Sequence, residues 1–128
     1  IEETFYEKQK KEIMYYKNMV LRYESYWRIM DKWLVMKENK KSITELLKRK
    51  KIYSVIIYGA GMLGKHLIEE LSDSDVNEKF KFPVIGANDT VPEADAVIVT
   101  PSYEFSDIRK HLTQKGVSNV ISIESLFE

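Results

Sequence analysis

The chain contains no cysteine in its 128 residues. That excludes a disulfide framework and thiolate chemistry, nucleophilic or metal-binding, and suits a reducing cytoplasm, where the protein is expected to reside. Apolar runs approaching the ~20 residues of a membrane-spanning helix are also missing, and nothing reads as a signal peptide. Histidine is scarce: His66 and His111 are the two copies, and neither has a second histidine or a cysteine one helical turn away. No metal site is expected. Charge of one sign is lacking overall, since 20 Lys and Arg balance 20 Asp and Glu. From Glu2 to Glu38 there is neither proline nor glycine, so nothing in that span breaks a helix.

The balanced charge is unevenly spread. Residues 1–52 carry 14 Lys and Arg against 8 Asp and Glu, and residues 53–128 carry 6 against 12. The change coincides with a change of pattern near Lys51. It divides the chain into a helical oligomerisation or docking segment, 1–51, and an α/β domain, 52–128. Acids and bases alternate through the first segment, and the cluster Lys48-Arg49-Lys50-Lys51 falls at a helix C-terminus, where cations are favoured. A solvated helix face explains this better than a nucleic-acid partner.

Within the first segment Ile13, Tyr16, Val20, Tyr23, Trp27, Met30 and Leu34 recur at alternating spacings of three and four, a heptad seam. Met19, Tyr26 and Trp33 widen it on one flank. A helix from Glu2 to Glu38 is too long for a domain of this size to cover, and its apolar stripe needs a partner in water. A homo-oligomer through residues 13–34 is expected, as an antiparallel pair or short bundle. The alternative is a helix that breaks and folds back on its own domain. Ser42-Ile43-Thr44-Glu45 has capping-box spacing and predicts a second helix from Ile43 to Arg49.

The second segment opens on Val55-Ile-Ile-Tyr-Gly59-Ala60-Gly61-Met62-Leu63-Gly64. An apolar strand runs into Gly-x-Gly-x-x-Gly, and Leu63, Leu67 and Leu71 then mark a helix face. In such a motif the first glycine allows the sharp turn and the second admits a diphosphate to the backbone. The third lets helix and strand pack closely, and the free N–H groups of the helix N-terminus face the anion. The spacing alone also suits a plain strand-to-helix turn. Pro83-Val-Ile-Gly86 predicts an edge strand and Ala94–Thr100 a buried parallel strand. A helix carrying Phe105, Ile108 and Leu112 inward follows from Pro101-Ser102 and stops at Gly116. Asn119–Ile123 closes the sheet. Ligands of parallel sheets sit at the carboxyl ends of strands where connections reverse, so Thr100, Pro101, Ser102 and Tyr103 are expected beside the glycine turn. Ser102 either bonds a ligand or caps the helix; Tyr103 either stacks on one or packs on the surface. Lys65 is a further source of positive charge. The Tyr6-x-x-x-Lys10 spacing is remote from the turn and is read as coincidence.

Residues 52–123 resemble the small Rossmann-like domains of bacterial polysaccharide-biosynthesis proteins, namely the N-terminal domain of sugar O-acyltransferases and the nucleotide-binding domain of CapD-like nucleotide-sugar dehydratases. Val55–Gly64, Phe82-Pro-Val-Ile-Gly86 and Ala94–Thr100 carry the likeness. Lys40–Leu47 looks like the linker of small proteins from capsule gene clusters. The resemblance implies NAD(P) or a nucleotide-sugar as ligand, held by Gly59, Ala60, Gly61, Met62, Leu63, Gly64 and Thr100–Tyr103, and a glycosyl- or acyltransferase as partner. The chain departs from it in three places. A second strand ending in a ribose-binding acid is missing between Leu71 and Phe82, the dehydratase Tyr-x-x-x-Lys is not at the right place, and no hexapeptide repeats follow. The short, polar Asp73–Lys81 stretch and the non-Met first residue lead to the expectation that a segment near Val76–Asn77 is omitted from this chain. The expected protein is a nucleotide-binding, helix-paired oligomer. The rival is a non-catalytic scaffold on a degenerate nucleotide fold, and no residue is assigned a catalytic role.

Overall fold

Thr4 starts the longest element. In the computed structural model, which describes residues 2–72 and 83–128, its hydroxyl accepts from the Glu7 backbone N–H at 3.2 Å. The Glu7 carboxylate accepts from the Thr4 N–H at 3.3 Å in return, a reciprocal capping box. Helix α1 (Phe5–Glu38) then runs unbroken for 34 residues, about 50 Å. It begins three residues later than the absence of Gly and Pro suggests, because Thr4 offers its first turn a cap that Glu2 and Glu3 do not. Lys40, in the left-handed region at φ 58°, turns the chain out of it. The Ser42 hydroxyl accepts from the Glu45 N–H at 3.2 Å and opens α2 (Ile43–Arg49), as its spacing predicts.

Four strands follow: β1 (Val55–Tyr58), β2 (Val84–Ile85), β3 (Ala96–Val99) and β4 (Val120–Ser122). They form one parallel sheet in the order β2-β1-β3-β4. The central strands β1 and β3 are buried along their whole length, which explains their continuous β-branched runs. Val84–Ile85 is an edge strand, as expected. Among the described residues two helices remain, α3 (Met62–Ser72) and α4 (Phe105–Gln114), the latter entered through a 3-10 turn at Ser102–Glu104. The expected missing strand and omitted segment near Val76–Asn77 lie outside the described residues.

Alternation along the central strands sorts the core into two layers. Val55, Ile57, Ala96 and Ile98 meet Leu63, Leu67 and Leu71 of α3, Ile43 and Leu47 of α2, and Ile29, Trp33 and Met36 of α1. Ile56, Tyr58, Val97 and Val99 meet Leu112 of α4, with Phe105 and Ile108 beside it. A C-terminal 3-10 turn, Ile123–Phe127, adds Ile123 and Leu126 to the first layer.

Helix α1 therefore stays whole, yet its C-terminal half packs on its own sheet. The flank of the seam makes that contact: Trp33 is buried, Tyr26 half-buried, and the Trp33 and Phe127 ring centroids are 5.5 Å apart. Two carboxylates hold it there. Glu70 of α3 accepts from the Trp33 indole N–H and the Ile43 backbone N–H, both at 2.9 Å, with the Lys37 ammonium at 3.4 Å. Glu124 accepts from Arg28 Nε and from its Nη2, the latter at 3.0 Å, and from the Lys32 ammonium at 3.3 Å.

The Arg28 hydrogen bonds hold the Glu124 carboxyl below its usual range, opposed by burial and aided by Lys32. A depressed folded pKa contributes stability that is complete above the ordinary carboxylate range and is lost as pH falls through the lowered value. Glu124→Gln should cost about 0.5–1 kcal/mol at neutral pH and flatten the acid limb of a urea-unfolding series. Equal stability of variant and parent from pH 7 to pH 3 would show that the cluster contributes nothing.

Candidate functional site

The turn after β1 has two glycines that its own packing demands. Gly59 lies at φ +101°, and a Cβ there would sit 2.7 Å from Thr100 Oγ1 and 2.9 Å from Pro101 Cδ. Its N–H donates to the Ile85 carbonyl at 3.0 Å, so β1 stays tied to β2 through the turn. A Cβ on Gly64 would collide with the Gly59 carbonyl oxygen. This is the close approach of helix to strand that the third glycine of the motif permits. Gly61 differs from both. Apart from Gly61 itself and its chain neighbours Ala60 and Met62, no heavy atom among the described residues lies within 4 Å of the position its Cβ would take, so nothing in their packing excludes a side chain there.

The second loop comes from β3. Thr100 is buried, its N–H donates to the Tyr58 carbonyl at 3.0 Å, and its Oγ1 has the Tyr58 and Gly59 carbonyl oxygens as acceptors at 3.0 and 3.3 Å. Thr100 thus ties the two loops together, and its hydroxyl has partners within the fold. Pro101 packs over Gly59. Ser102 is half-buried with its N–H on the Thr100 carbonyl at 2.8 Å, and no side-chain hydrogen bond caps the 3-10 turn or α4. Of the two roles weighed for Ser102, helix capping is not the one seen. Tyr103 packs on α1: its ring meets Tyr26 edge-on at 6.2 Å, and the Arg22 guanidinium lies 5.7 Å from its centroid. Burial pushes its phenol above the ordinary value, with Glu104 adding to it.

These loops meet where the chain reverses its direction across the sheet, since β1 has β2 on one side and β3 on the other. Ala60, Gly61 and Met62 are exposed at this point. Leu63 is buried as a whole residue, 2% exposed, so Ala60, Gly61 and Met62 are the open part of the turn. The first amides of α3, at Met62, Leu63 and Gly64, have no side-chain cap among the described residues, and the helix presents the positive end of its dipole there. Lys65 is exposed one residue further on. His66 stands apart, with its ring edge-on to Trp33 at 6.3 Å, and His111 is exposed on α4. Among the described residues no cluster of three His, Asp or Glu side chains is placed to hold a metal.

A cavity of about 650 Å³ lies elsewhere, between the 88–94 loop and residues 115–119. Three of its polar residues hold loops: Asp89 accepts from the Gly86 N–H at 2.7 Å, Lys115 donates to the Ala87 carbonyl at 3.1 Å, and Asn119 to the Asp95 carbonyl at 2.7 Å. The glycine turn has the better chemistry for an anion, with exposed backbone donors and room in front of them.

Comparison with known protein families, curated proteins and solved structures gives no match for this chain. Geometry alone therefore distinguishes its residues. Sequence spacing found the glycine turn and the loop after β3. It missed the Thr100 tie and the role of Glu70, an acid two residues beyond an apolar helix position whose partner Trp33 lies 37 residues away.

The three glycines should respond differently to alanine. Gly64→Ala and Gly59→Ala should each lower stability by about 1–3 kcal/mol, through overpacking at residue 64 and left-handed backbone plus contact at residue 59. Gly61→Ala should stay within about 1 kcal/mol of the parent. Urea denaturation of the three variants checks this, and a Gly61 variant as damaged as the Gly64 variant would contradict the geometry.

Proposed function

We propose that residues 52–128 form a Rossmann-like domain whose Gly59–Gly64 turn binds the phosphates of a nucleotide, NAD(P) or a nucleotide-sugar. The observation that carries this reading is the contrast among the glycines. Gly59 and Gly64 are required by contacts within the chain, and Gly61 has open space in front of it at the start of α3. A glycine at that place, at the reversal point of a parallel sheet, suits a backbone that a diphosphate approaches closely. Ala60, Met62 and Leu63 supply backbone N–H groups, Ser102 a hydroxyl, and Lys65 a cation at the rim. Tyr103, held by Tyr26 and Arg22, serves as packing in this reading. The likeness to polysaccharide-biosynthesis domains supports a nucleotide-sugar setting with a glycosyl- or acyltransferase partner.

Among the described residues no acid–base pair stands at the turn, and no reaction step is assigned. The second reading is a non-catalytic scaffold, and the observation that favours it is the long exposed apolar face of α1. Calorimetry against NAD, NADP and UDP-sugars separates the two. The binding reading expects saturable affinity for at least one of these in the parent, and at least about a tenfold loss in Gly61→Val with its unfolding midpoint nearly kept. A parent that binds none of them leaves the scaffold reading in place.

A further inference from the structure

The half of α1 that leaves the sheet, and the outer face of the half that stays on it, remain uncovered. Ile13, Tyr16, Val20, Tyr23 and Leu34 are more than half exposed, and Trp27 is 76% exposed. In heptad terms these are the a and d positions, and the domain occupies the side beyond the g flank, through Tyr26 and Trp33. The opposite e flank is free along its whole length. It reads Lys10, Lys17, Glu24, Asp31 and Glu38, all exposed: two cations toward the N-terminus, then three acids toward the C-terminus.

We propose that α1 pairs with α1 of a second copy in antiparallel orientation, laid end to end so that Phe5 of one lies beside Glu38 of the other. The charge order of the e flank selects that occupant and orientation. In an antiparallel pair e faces e, and the + + − − of residues 10–31 reversed meets itself with opposite charges. Glu38, one heptad further on, falls beside Glu3 ahead of the second copy's helix and adds no attraction. Lys10 faces Asp31 of the second copy and Lys17 faces Glu24, each pair occurring twice by symmetry. The same register layers Ile13 on Met30, Tyr16 on Trp27 and Val20 on Tyr23. A parallel pair would instead set e against g, where Lys17 alone finds an opposite charge, in Glu12, while Glu24 and Asp31 meet Met19 and Tyr26 and gain no partner. The fit extends to the groove of about 330 Å³ between α1 and α3, lined by Met30, Trp33, Leu34 and His66. End-to-end pairing brings Ile13 and Tyr6 of the second copy to its mouth. A membrane surface fits less well, because acids at residues 24 and 31 break the cationic flank that anionic lipid would favour. This inference is independent of the nucleotide reading, since it uses no residue of the glycine turn.

Two double variants test it. Lys10→Glu with Lys17→Glu makes the flank wholly acidic, and Glu24→Lys with Asp31→Lys makes it wholly basic from residue 10 to residue 31. Light scattering should show a dimer for the parent and at least about a tenfold weaker dimer for each variant alone, with four attractive pairs turned repulsive. An equimolar mixture should recover dimerisation. Because the chain has no native cysteine, a second measurement is available. A mixture of Lys10→Cys and Asp31→Cys chains should oxidise to the mixed 10–31 disulfide in preference to the 10–10 product. A monomeric parent at ~100 μM, a dimer indifferent to both reversals, a 10–10 cross-link, or a monomer that binds phosphatidylserine vesicles through α1 would each overturn the proposal.

Discussion

Helix α3 lies so close to the end of β1 that no side chain fits between them, and most of the molecule is arranged around that approach. Gly64 has no Cβ because the Gly59 carbonyl oxygen occupies the place one would take. The same carbonyl receives Thr100, which fixes the loop after β3. With its first turn pressed on the strand, α3 drives Leu63, Leu67 and Leu71 into the sheet-facing core. Glu70 is left on the side of the helix that meets α1 and α2, where it takes the Trp33 indole and the first amide of α2. One close contact thus sets both the shape of the turn and the seat of the long helix.

The consequence for the turn is a division of labour among similar residues. Glycines serve packing at 59 and 64, and Thr100 serves as a tie. Gly61 and the exposed amides around it are the part of the motif that the fold itself leaves unused. Backbone donors at a helix start are stiff and need no side-chain ordering, so an anion bound there loses little to conformational entropy. The nearby side chains with free polar capacity, Ser102 and Lys65, are suited to adjusting affinity or selectivity. Neither is placed as an acid or base against a reacting atom.

Much of this was legible in the residues. Periodicity located α1, α2 and both central strands within a few positions, because each carries a strong local signal: an uninterrupted 3.5-residue seam, a capped start at Ser42, and β-branched runs buried on both faces. Spacing also brought Thr100 to the glycine turn. What stayed hidden were the long-range choices. Trp33 looks like the edge of a pairing seam until Glu70 and Phe127 are seen to claim it, and Tyr103 looks like a ligand-stacking ring until Tyr26 and Arg22 hold it. Glu124 gives no local hint that Arg28 and Lys32, almost a hundred residues earlier, converge on it. Such contacts depend on which faces the sheet brings together, and no window of neighbouring residues contains that information. The helix seam shows the same limit, since its flank binds the domain while its centre stays exposed.

The central claim is that the backbone around Gly61 receives a nucleotide phosphate. The most direct measurement is an amide nitrogen–proton correlation spectrum of the uniformly 15N-labelled protein, titrated with NAD, NADP and UDP-sugars. The account predicts that one of these shifts the amides of Ala60, Gly61, Met62 and Leu63 first and furthest, with smaller changes at Ser102 and none along the first turns of α1. Titrations that leave those amides unmoved, or that move only residues around the 88–94 loop, would contradict it.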